Sequence, residues 1–108
     1  MLLLTTLGRK SGRPRQASIF YLEDGANWVV VASNGGADRE PEWWRNLQSS
    51  PDAVAWLGPR SVRVHARRAS PEEAERLWPR LVALYPGYET YRRQLGRDLP
   101  IVVLESRS

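Results

Sequence analysis

Short β-prone runs alternate with tight-turn signals along this chain, and this alternation limits its fold more than any other feature. Asp24-Gly25 separates two such runs and is typical of a two-residue hairpin turn. Gly58-Pro59 separates two others, and glycine and proline are strong turn formers. Runs joined by so few residues pair antiparallel. The predicted strands are Leu2–Leu7, 16–23, 27–33, 53–57, 61–68 and 99–105.

Helix signals occur in the other parts of the chain. Pro41 precedes a short helical stretch, and proline suits the first helical turn. Ser70 and Glu73 have the spacing of a capping box at the start of a longer stretch. Pro79 lies inside that stretch and predicts a kink, because proline removes a backbone hydrogen bond. The predicted helices cover 42–47, the stretch from Ser70 up to the Pro86-Gly87 pair, and 88–95.

These elements predict one domain over residues 1–108, a length that suffices for one core. Six strands in hairpins, a short helix after the third strand and a helical segment before the last one favour a mainly β, α+β fold. The expected architecture is a small antiparallel barrel. A doubly wound nucleotide-binding fold is poorly supported, because helices do not alternate with strands and no Gly-x-Gly-x-x-Gly opens a helix.

Two loops that follow predicted strands have the composition of phosphate-binding loops. The first, residues 8–15, holds four cations within seven residues together with Gly8 and Gly12. The second, residues 33–36, has the sequence Ser-Asn-Gly-Gly and offers backbone N–H groups on flexible residues. Arginine matches two phosphate oxygens and lysine supplies a point charge. The alternative interpretation of the first loop is a solvated hairpin loop whose charges only keep the chain soluble.

Composition narrows the partners and the chemistry further. The net charge is +4, and every basic residue except Lys10 is an arginine, which favours anionic ligands. The absence of cysteine excludes disulfides, thiolate catalysis and cysteine metal sites. One histidine and no acidic cluster at ligand spacing predict that there is no metal site. We expect a cytoplasmic protein, because no apolar run has the length of a membrane span and no signal-peptide pattern is present.

Three tyrosines recur around a Pro-Gly pair, at Tyr85, Tyr88 and Tyr91. Their hydroxyls can donate to a carbonyl or nitro oxygen, and their rings can stack on a flat substrate. The alternative is that the rings only pack a helix against the barrel. No serine has a candidate base in its sequence context, so an enzyme with this sequence would depend on a cofactor for its chemistry. His65 lies on an arginine-rich strand face and is interpreted as solvated.

Five segments follow one another in the order of the motifs of a known family. They are Leu3-Leu4-Thr5-Thr6-Leu7-Gly8-Arg9-Lys10-Ser11-Gly12-Arg13-Pro14-Arg15, Val31-Ala32-Ser33-Asn34-Gly35-Gly36, Pro41-x-Trp43-x-x-Asn46-Leu47, Tyr85-Pro86-Gly87-Tyr88-x-x-Tyr91 and Pro100-Ile101-Val102-Val103-Leu104. Any one motif is weak, whereas the ordered set is specific. The chain therefore resembles the deazaflavin-dependent nitroreductase family over nearly its whole length.

The resemblance implies a split β-barrel of the flavin-reductase type. It implies binding of coenzyme F-420, an 8-hydroxy-5-deazaflavin with a phosphodiester and an oligoglutamate tail, in preference to ordinary flavin. It also implies hydride transfer to a quinone, a nitro compound or another electron-poor acceptor, with Tyr85, Tyr88 and Tyr91 as catalytic residues on the substrate side. The implied cofactor-binding residues are Arg9, Lys10, Ser11, Arg15, Ser33, Asn34, Gly35, Gly36 and Trp43.

Three residues depart from the family pattern, and one of them is the helix interruption at Pro79. Asn34 stands where some relatives have lysine, and Phe20 stands where some have tyrosine. Three alternatives stay open: an ordinary FMN-binding reductase, a non-catalytic deazaflavin-binding protein, and a nucleic-acid module. The last is disfavoured because the cations gather in loops rather than between aromatic residues on a sheet face. We expect a small-molecule acceptor, no nucleic-acid partner, a monomer or homodimer, and no transmembrane segment, with loose membrane association left open.

Overall fold

The computed structural model describes residues 1–107, which form seven strands and three helices. In chain order these are β1 (Leu2–Leu7), β2 (Pro14–Ile19), β3 (Leu22–Asp24), β4 (Asn27–Val31), α1 (Glu42–Ser49), β5 (Asp52–Leu57), β6 (Arg60–Arg68), α2 (Pro71–Leu84), α3 (Gly87–Gln94) and β7 (Ile101–Arg107). A 3-10 turn at Asn34–Gly36 lies between β4 and α1. The predicted α+β class is confirmed.

One antiparallel sheet contains all seven strands, in the order β2-β1-β5-β6-β7-β4-β3. β2 and β3 are its two edges, yet only Phe20 and Tyr21 separate them along the chain. A link of this length spans at most about 11 Å. The two edges therefore lie close together and the sheet curls into a barrel with a seam between them, as the predicted split barrel requires.

The predicted strand 16–23 is wrong as a single element, because it forms two strands. Its first part pairs with β1, with Ile19 opposite Leu2, and its last part pairs with β4, with Leu22 opposite Val29. A run that pairs with two different neighbours must bend between them. The structure consequently has seven strands rather than six, and α1 follows the fourth strand rather than the third.

β4, like β7, contributes residues to both hydrophobic clusters formed by residues 1–107. Its Trp28 and Val30 point into the barrel, where they pack with residues of β1, β5, β6, β7 and α1. Its Val29 and Val31 point outwards and pack against α2 and α3. Both faces of β4 are therefore buried, which holds the end of this strand rigidly where the 3-10 turn begins.

The start of α2 follows the predicted capping box. The Ser70 Oγ accepts from the Glu73 N–H at 3.2 Å, and the Ser70 N–H donates to Glu73 Oε1 at 3.0 Å. The helix continues through Pro79 to Leu84 as one element, so the proline does not end it. Leu77 and Leu81 are fully buried against β4 and offset the hydrogen bond that the proline removes. No helix within residues 1–107 has the length and hydropathy of a membrane span.

Candidate active site

A cleft of about 450 Å³ opens beside β2, between the end of β4, the start of α1 and one residue of α3. We call it the seam cleft. Its walls include the stretch from Gln16 to Phe20, with Pro41 and Glu42. Five residues predicted for the site meet in it, and these are Ser33, Asn34, Gly35, Trp43 and Tyr88.

Residues 33–37 form a turn at the edge of the seam cleft, which we call the rim turn. Ser33 has right-handed backbone angles, and Asn34 and Gly35 then follow at φ 49° and 63°. A right-handed residue followed by a left-handed one aims consecutive N–H groups into one concavity. Within residues 1–107 no acceptor takes up the N–H groups of Asn34 and Gly35. The turn therefore offers two backbone donors to a ligand.

The side chain of Asn34 is engaged by the segment that follows the rim turn. Its Nδ2 donates to the carbonyl of Arg39 at 2.9 Å. Asparagine is also one of the few residues that adopts positive φ readily. Asn34 thus contributes its conformation and its backbone N–H to the turn, and no charge.

Gly36 is the point at which the rim turn meets the tyrosine cluster. Its φ is 84°, and a Cβ atom placed on it would lie 2.7 Å from the ring of Tyr91. Side chains do not approach that closely, so any other residue at this position must displace the ring. Tyr91 therefore packs against the turn rather than lining the seam cleft.

Tyr88 is the tyrosine that faces the seam cleft. Its side chain is 3% exposed, and its ring meets that of Tyr85 edge-on at 4.9 Å. Burial raises the pKa of the Tyr88 phenol to about 12, and the phenols of Tyr85 and Tyr91 add to this rise. At neutral pH the group is a protonated donor, and within residues 1–107 its hydroxyl has no hydrogen-bond partner.

The hydroxyl groups of Tyr85 and Tyr91 are hydrogen-bonded to each other. Their hydroxyl oxygens are 2.9 Å apart, and this hydrogen bond raises the pKa of Tyr91. The ring of Phe20 stacks on Tyr85 at 5.3 Å. The three tyrosines therefore form one cluster, in which only Tyr88 turns towards the seam cleft.

Arg9 points inwards from the first basic loop, residues 8–15. Its guanidinium donates to Glu42 Oε2 at 2.5 Å and to Asn46 Oδ1 at 3.0 Å, and its side chain is 17% exposed. The Arg9 hydrogen bond is the main cause that lowers the pKa of Glu42. Because Glu42 lines the seam cleft, Arg9 brings the basic loop to its edge and neutralises a carboxylate there.

The other residues of the basic loop that were predicted for the site are directed to solvent. Lys10, Ser11 and Arg15 are exposed and do not line the seam cleft. The loop is closed by its own backbone, through bonds of 2.8 Å from the Gly8 N–H to the Arg13 carbonyl and from the Gly12 N–H to the Gly8 carbonyl. The Ser11 Oγ accepts from the Arg13 N–H at 3.2 Å and adds to this closure.

Two contributors to this region were not chosen as site residues from the sequence. Glu42 lines the seam cleft, and Asn46 links Arg9 to the barrel by donating to Thr6 Oγ1 at 3.2 Å. Asn46 lies within the Pro41-x-Trp43-x-x-Asn46 motif, so the motif contained a signal for it. Nothing in the sequence near Glu42 indicates that its carboxylate pairs with an arginine thirty-three positions earlier.

The sequence matches the family model described as F420H(2)-dependent quinone reductase over residues 1–106. An F420H(2)-dependent quinone reductase of Mycobacterium tuberculosis is 37% identical over 109 residues, which covers 98% of this chain and 73% of the relative. The solved structure of an F420-H2 dependent reductase has a TM-score of 0.87 at 31% identity and covers 96% of this chain and 92% of that chain.

A second solved structure gives the same identity of 31% and TM-score of 0.87, covers 96% of this chain and 78% of that one, and is described as a domain-swapped dimer. The family match covers almost every residue, and the relatives share both sequence and fold with this chain. The resemblance to deazaflavin-dependent reductases is confirmed. The chain belongs to the F420H(2)-dependent quinone reductase family, a family of oxidoreductases that use reduced coenzyme F-420.

Proposed function

We propose that this protein reduces quinones with reduced coenzyme F-420 bound in the seam cleft. One observation carries the proposal: unpaired backbone donors, an aromatic wall and a protonated phenol meet in a single cleft of about 450 Å³. Ligand sites of this kind are mostly apolar, with a few convergent polar groups. The residues come from distant parts of the chain, so their convergence is a property of the fold.

The residues of the cleft fit the coenzyme. Trp43 and Phe20 give a flat aromatic ligand the surface that it needs. The free N–H groups of Asn34 and Gly35 suit ligand oxygens, including those of a phosphodiester. We assign Ser33, Asn34, Gly35 and Trp43 to direct contact with the coenzyme, and Gly36 to the shape of the turn.

The basic loop has a different part in this proposal. Lys10, Ser11 and Arg15 lie outside the cleft lining and are exposed, which suits a flexible acidic tail that leaves the cleft. Arg9 cancels the charge of Glu42 at the edge of the cleft and so allows an anion to approach. We therefore assign the loop to the tail and to charge balance.

When bound, reduced F-420 supplies the hydride that the acceptor receives. The protein contributes a place in which the acceptor lies against the coenzyme, which is a gain from proximity. The Tyr88 hydroxyl donates a hydrogen bond to the acceptor oxygen on which negative charge grows, and its buried surroundings strengthen that bond. Tyr85 and Tyr91 hold the ring of Tyr88 in place through their own hydrogen bond. A nitro oxygen presents the same acceptor to Tyr88, so nitro compounds belong in the same assay.

The proposal is tested first by titrating the protein with oxidised F-420 and with FMN, followed by turnover of a soluble quinone. We expect F-420 to bind at least about tenfold more tightly than FMN, a difference of one power of ten in Kd. Equal or tighter FMN binding would favour an ordinary FMN-binding reductase. Tight F-420 binding without turnover of any quinone or nitro compound would identify a non-catalytic deazaflavin-binding protein. Duplex and single-stranded DNA should not compete at matched ionic strength.

The chemical role of Tyr88 is tested by Tyr88→Phe, which removes only the hydroxyl. Quinone turnover should fall by about 10- to 1000-fold, as for the loss of one preorganised donor or general acid. The affinity for F-420 should stay within about twofold, because the ring is retained. Since the pKa of Tyr88 is about 12, the ratio of the two rates should not change across neutral pH.

Tyr85→Phe is the matched control, because it breaks the Tyr85–Tyr91 hydrogen bond and leaves the Tyr88 hydroxyl intact. It should lower turnover less than Tyr88→Phe does. Normal turnover in Tyr88→Phe would reduce Tyr88 to a packing residue. Joint loss of coenzyme affinity and turnover would place it among the coenzyme contacts instead.

A further inference from the structure

Arg97 lies between α3 and β7, outside every motif of the sequence, and is half-buried. Among the described residues 1–107, its guanidinium donates only to backbone carbonyls. Nε donates to Ala37 at 3.1 Å, Nη1 to Ala32 at 3.1 Å and to Asp98 at 3.0 Å, and Nη2 to Ser33 at 2.8 Å. Four of its five N–H donors are therefore engaged, which leaves little for binding an anion.

Two of the four carbonyls that Arg97 binds mark the two ends of the rim turn. Ser33 begins the turn and Ala37 ends it, so one rigid guanidinium sets the distance between them. Inside the turn only two backbone hydrogen bonds form, from the Gly36 N–H to Ser33 at 3.0 Å and from the Ala37 N–H to Asn34 at 3.1 Å. Three successive residues at positive φ need more restraint than this.

The segment that carries Arg97 is itself anchored to the barrel. The neighbouring Asp98 forms an ion pair with Arg68 of β6, and the hydrogen bond of Arg68 lowers the pKa of Asp98. The Ala32 N–H donates to the carbonyl of Pro100 at 3.0 Å, just before β7. Arg97 thus transmits a fixed position from the sheet to the rim turn.

We infer that Arg97 is a positioning residue, which holds the rim turn in the conformation that presents the Asn34 and Gly35 N–H groups to the coenzyme. The inference rests on the proposed function of the seam cleft. It assigns to Arg97 a role through backbone geometry and no direct contact with coenzyme or acceptor. Without the guanidinium, the turn samples other conformations, and apparent affinity falls in proportion to the fraction of competent turn.

The test compares Arg97→Ala and Arg97→Lys with the control Arg92→Ala. Arg92 and Arg97 both line a groove between α2 and the segment that precedes β7. The Arg92 guanidinium lies over the Trp78 ring at 4.8 Å and bonds no residue of the rim turn, residues 33–37. The first readout is amide hydrogen exchange at Gly36 and Ala37 in the protein without coenzyme. We expect exchange to rise at least about tenfold in Arg97→Ala, to rise less in Arg97→Lys and to stay unchanged in Arg92→Ala.

The second readout separates KM for reduced F-420 from kcat. Arg97→Ala should raise KM by about five- to twentyfold and leave kcat at saturating coenzyme within about twofold. A fall in kcat with unchanged KM would overturn the positioning role. Unchanged exchange in Arg97→Ala would also overturn it. So would wild-type exchange in Arg97→Lys, whose single nitrogen cannot bridge both ends of the turn.

These outcomes separate this inference from the proposed function. Faster exchange in Arg97→Ala together with no F-420 binding by the unmodified protein would overturn the proposed function and support the restraint of the turn. F-420 binding by the unmodified protein together with unchanged exchange in Arg97→Ala would support the proposed function and overturn the positioning role of Arg97. Arg97→Lys keeps the charge and most of the packing, so it supplies the result if Arg97→Ala does not fold.

Discussion

The basic loop and the rim turn lie beside the same cleft and are built in opposite ways. The basic loop is closed by its own backbone hydrogen bonds and directs most of its charge to solvent. The rim turn carries no charged side chain between Ser33 and Ala37, and it is held from outside by Arg97 and Tyr91. The cluster of charges in the sequence thus marks a loop at the edge of the seam cleft. Of the two loops, only the uncharged turn contributes residues to the cleft lining that the structure describes.

This contrast predicts that the two loops tolerate substitution differently. A loop closed by its own backbone hydrogen bonds loses little stability or binding free energy when an exposed side chain is removed, because surface charges are solvated and screened. An externally held turn depends on close contacts, so a single methyl group in the wrong place disturbs it. Glycines with positive φ occur in both loops, which allows matched substitutions.

The largest difference should come from Gly36→Ala. The new methyl group would lie 2.7 Å from the Tyr91 ring, on a residue whose φ is 84°. We expect F-420 affinity to fall more than about thirtyfold, because strain of about 1–2 kcal/mol from the left-handed backbone adds to the displacement of the ring. Fluorescence titration gives the affinity, and thermal unfolding reports the loss of stability.

Gly35→Ala and Gly12→Ala are the controls. Both glycines have positive φ, 63° and 69°, and neither would place a methyl group within 4 Å of another residue. Gly35→Ala should weaken F-420 binding less than Gly36→Ala, and Gly12→Ala should leave it within about twofold since it affects only the basic loop. Equal losses in all three would show that the two loops do not differ.

A smaller effect is expected from charges in the basic loop. Arg9→Ala leaves the carboxylate of Glu42 without its main partner at the edge of the cleft and should weaken F-420 binding about three- to tenfold. Lys10→Ala and Arg15→Ala remove exposed charges and should each weaken it by about fivefold or less.

The dependence of these affinity losses on salt concentration tests the same contrast between the two loops. The losses from Lys10→Ala and Arg15→Ala should disappear in 1 M salt, where charges more than about 3 Å apart are screened. The loss from Gly36→Ala should persist, because packing does not depend on ionic strength. A salt-resistant loss of more than tenfold in Lys10→Ala would show that the lysine is buried against the coenzyme.

Features that depend on local sequence were predicted well. The Asp24-Gly25 turn joins β3 to β4 with Asp24 opposite Asn27, and the Ser70 capping box begins α2. On β6 the arginine-rich face that carries His65 alternates with a buried face, since Val64 and Ala66 are buried. Each of these depends on residues within a few positions of one another, where hydrogen-bond geometry and side-chain period act directly.

Features that depend on distant partners could not be predicted from the same patterns. Arg97 reaches Ser33 across sixty-four positions, and Arg9 reaches Glu42 across thirty-three. His65, which was interpreted as solvated, is partly exposed and bonds Asp52 Oδ1 at 2.9 Å. An arginine in a loop has the same local appearance whether it faces water or a carbonyl, so only the fold distinguishes the two cases.

The position of β7 in the sheet has a consequence for biosynthesis. β7 is the last of the seven strands in sequence, yet it lies between β6 and β4 near the middle of the sheet. Until it leaves the ribosome, β2-β1-β5-β6 and β4-β3 are two ladders that no backbone hydrogen bonds connect. Arg97 emerges only just before β7. The nascent protein therefore gains its barrel and its restrained rim turn in the same step, when β7 pairs with β6 and β4, and exposes both half-sheets until then.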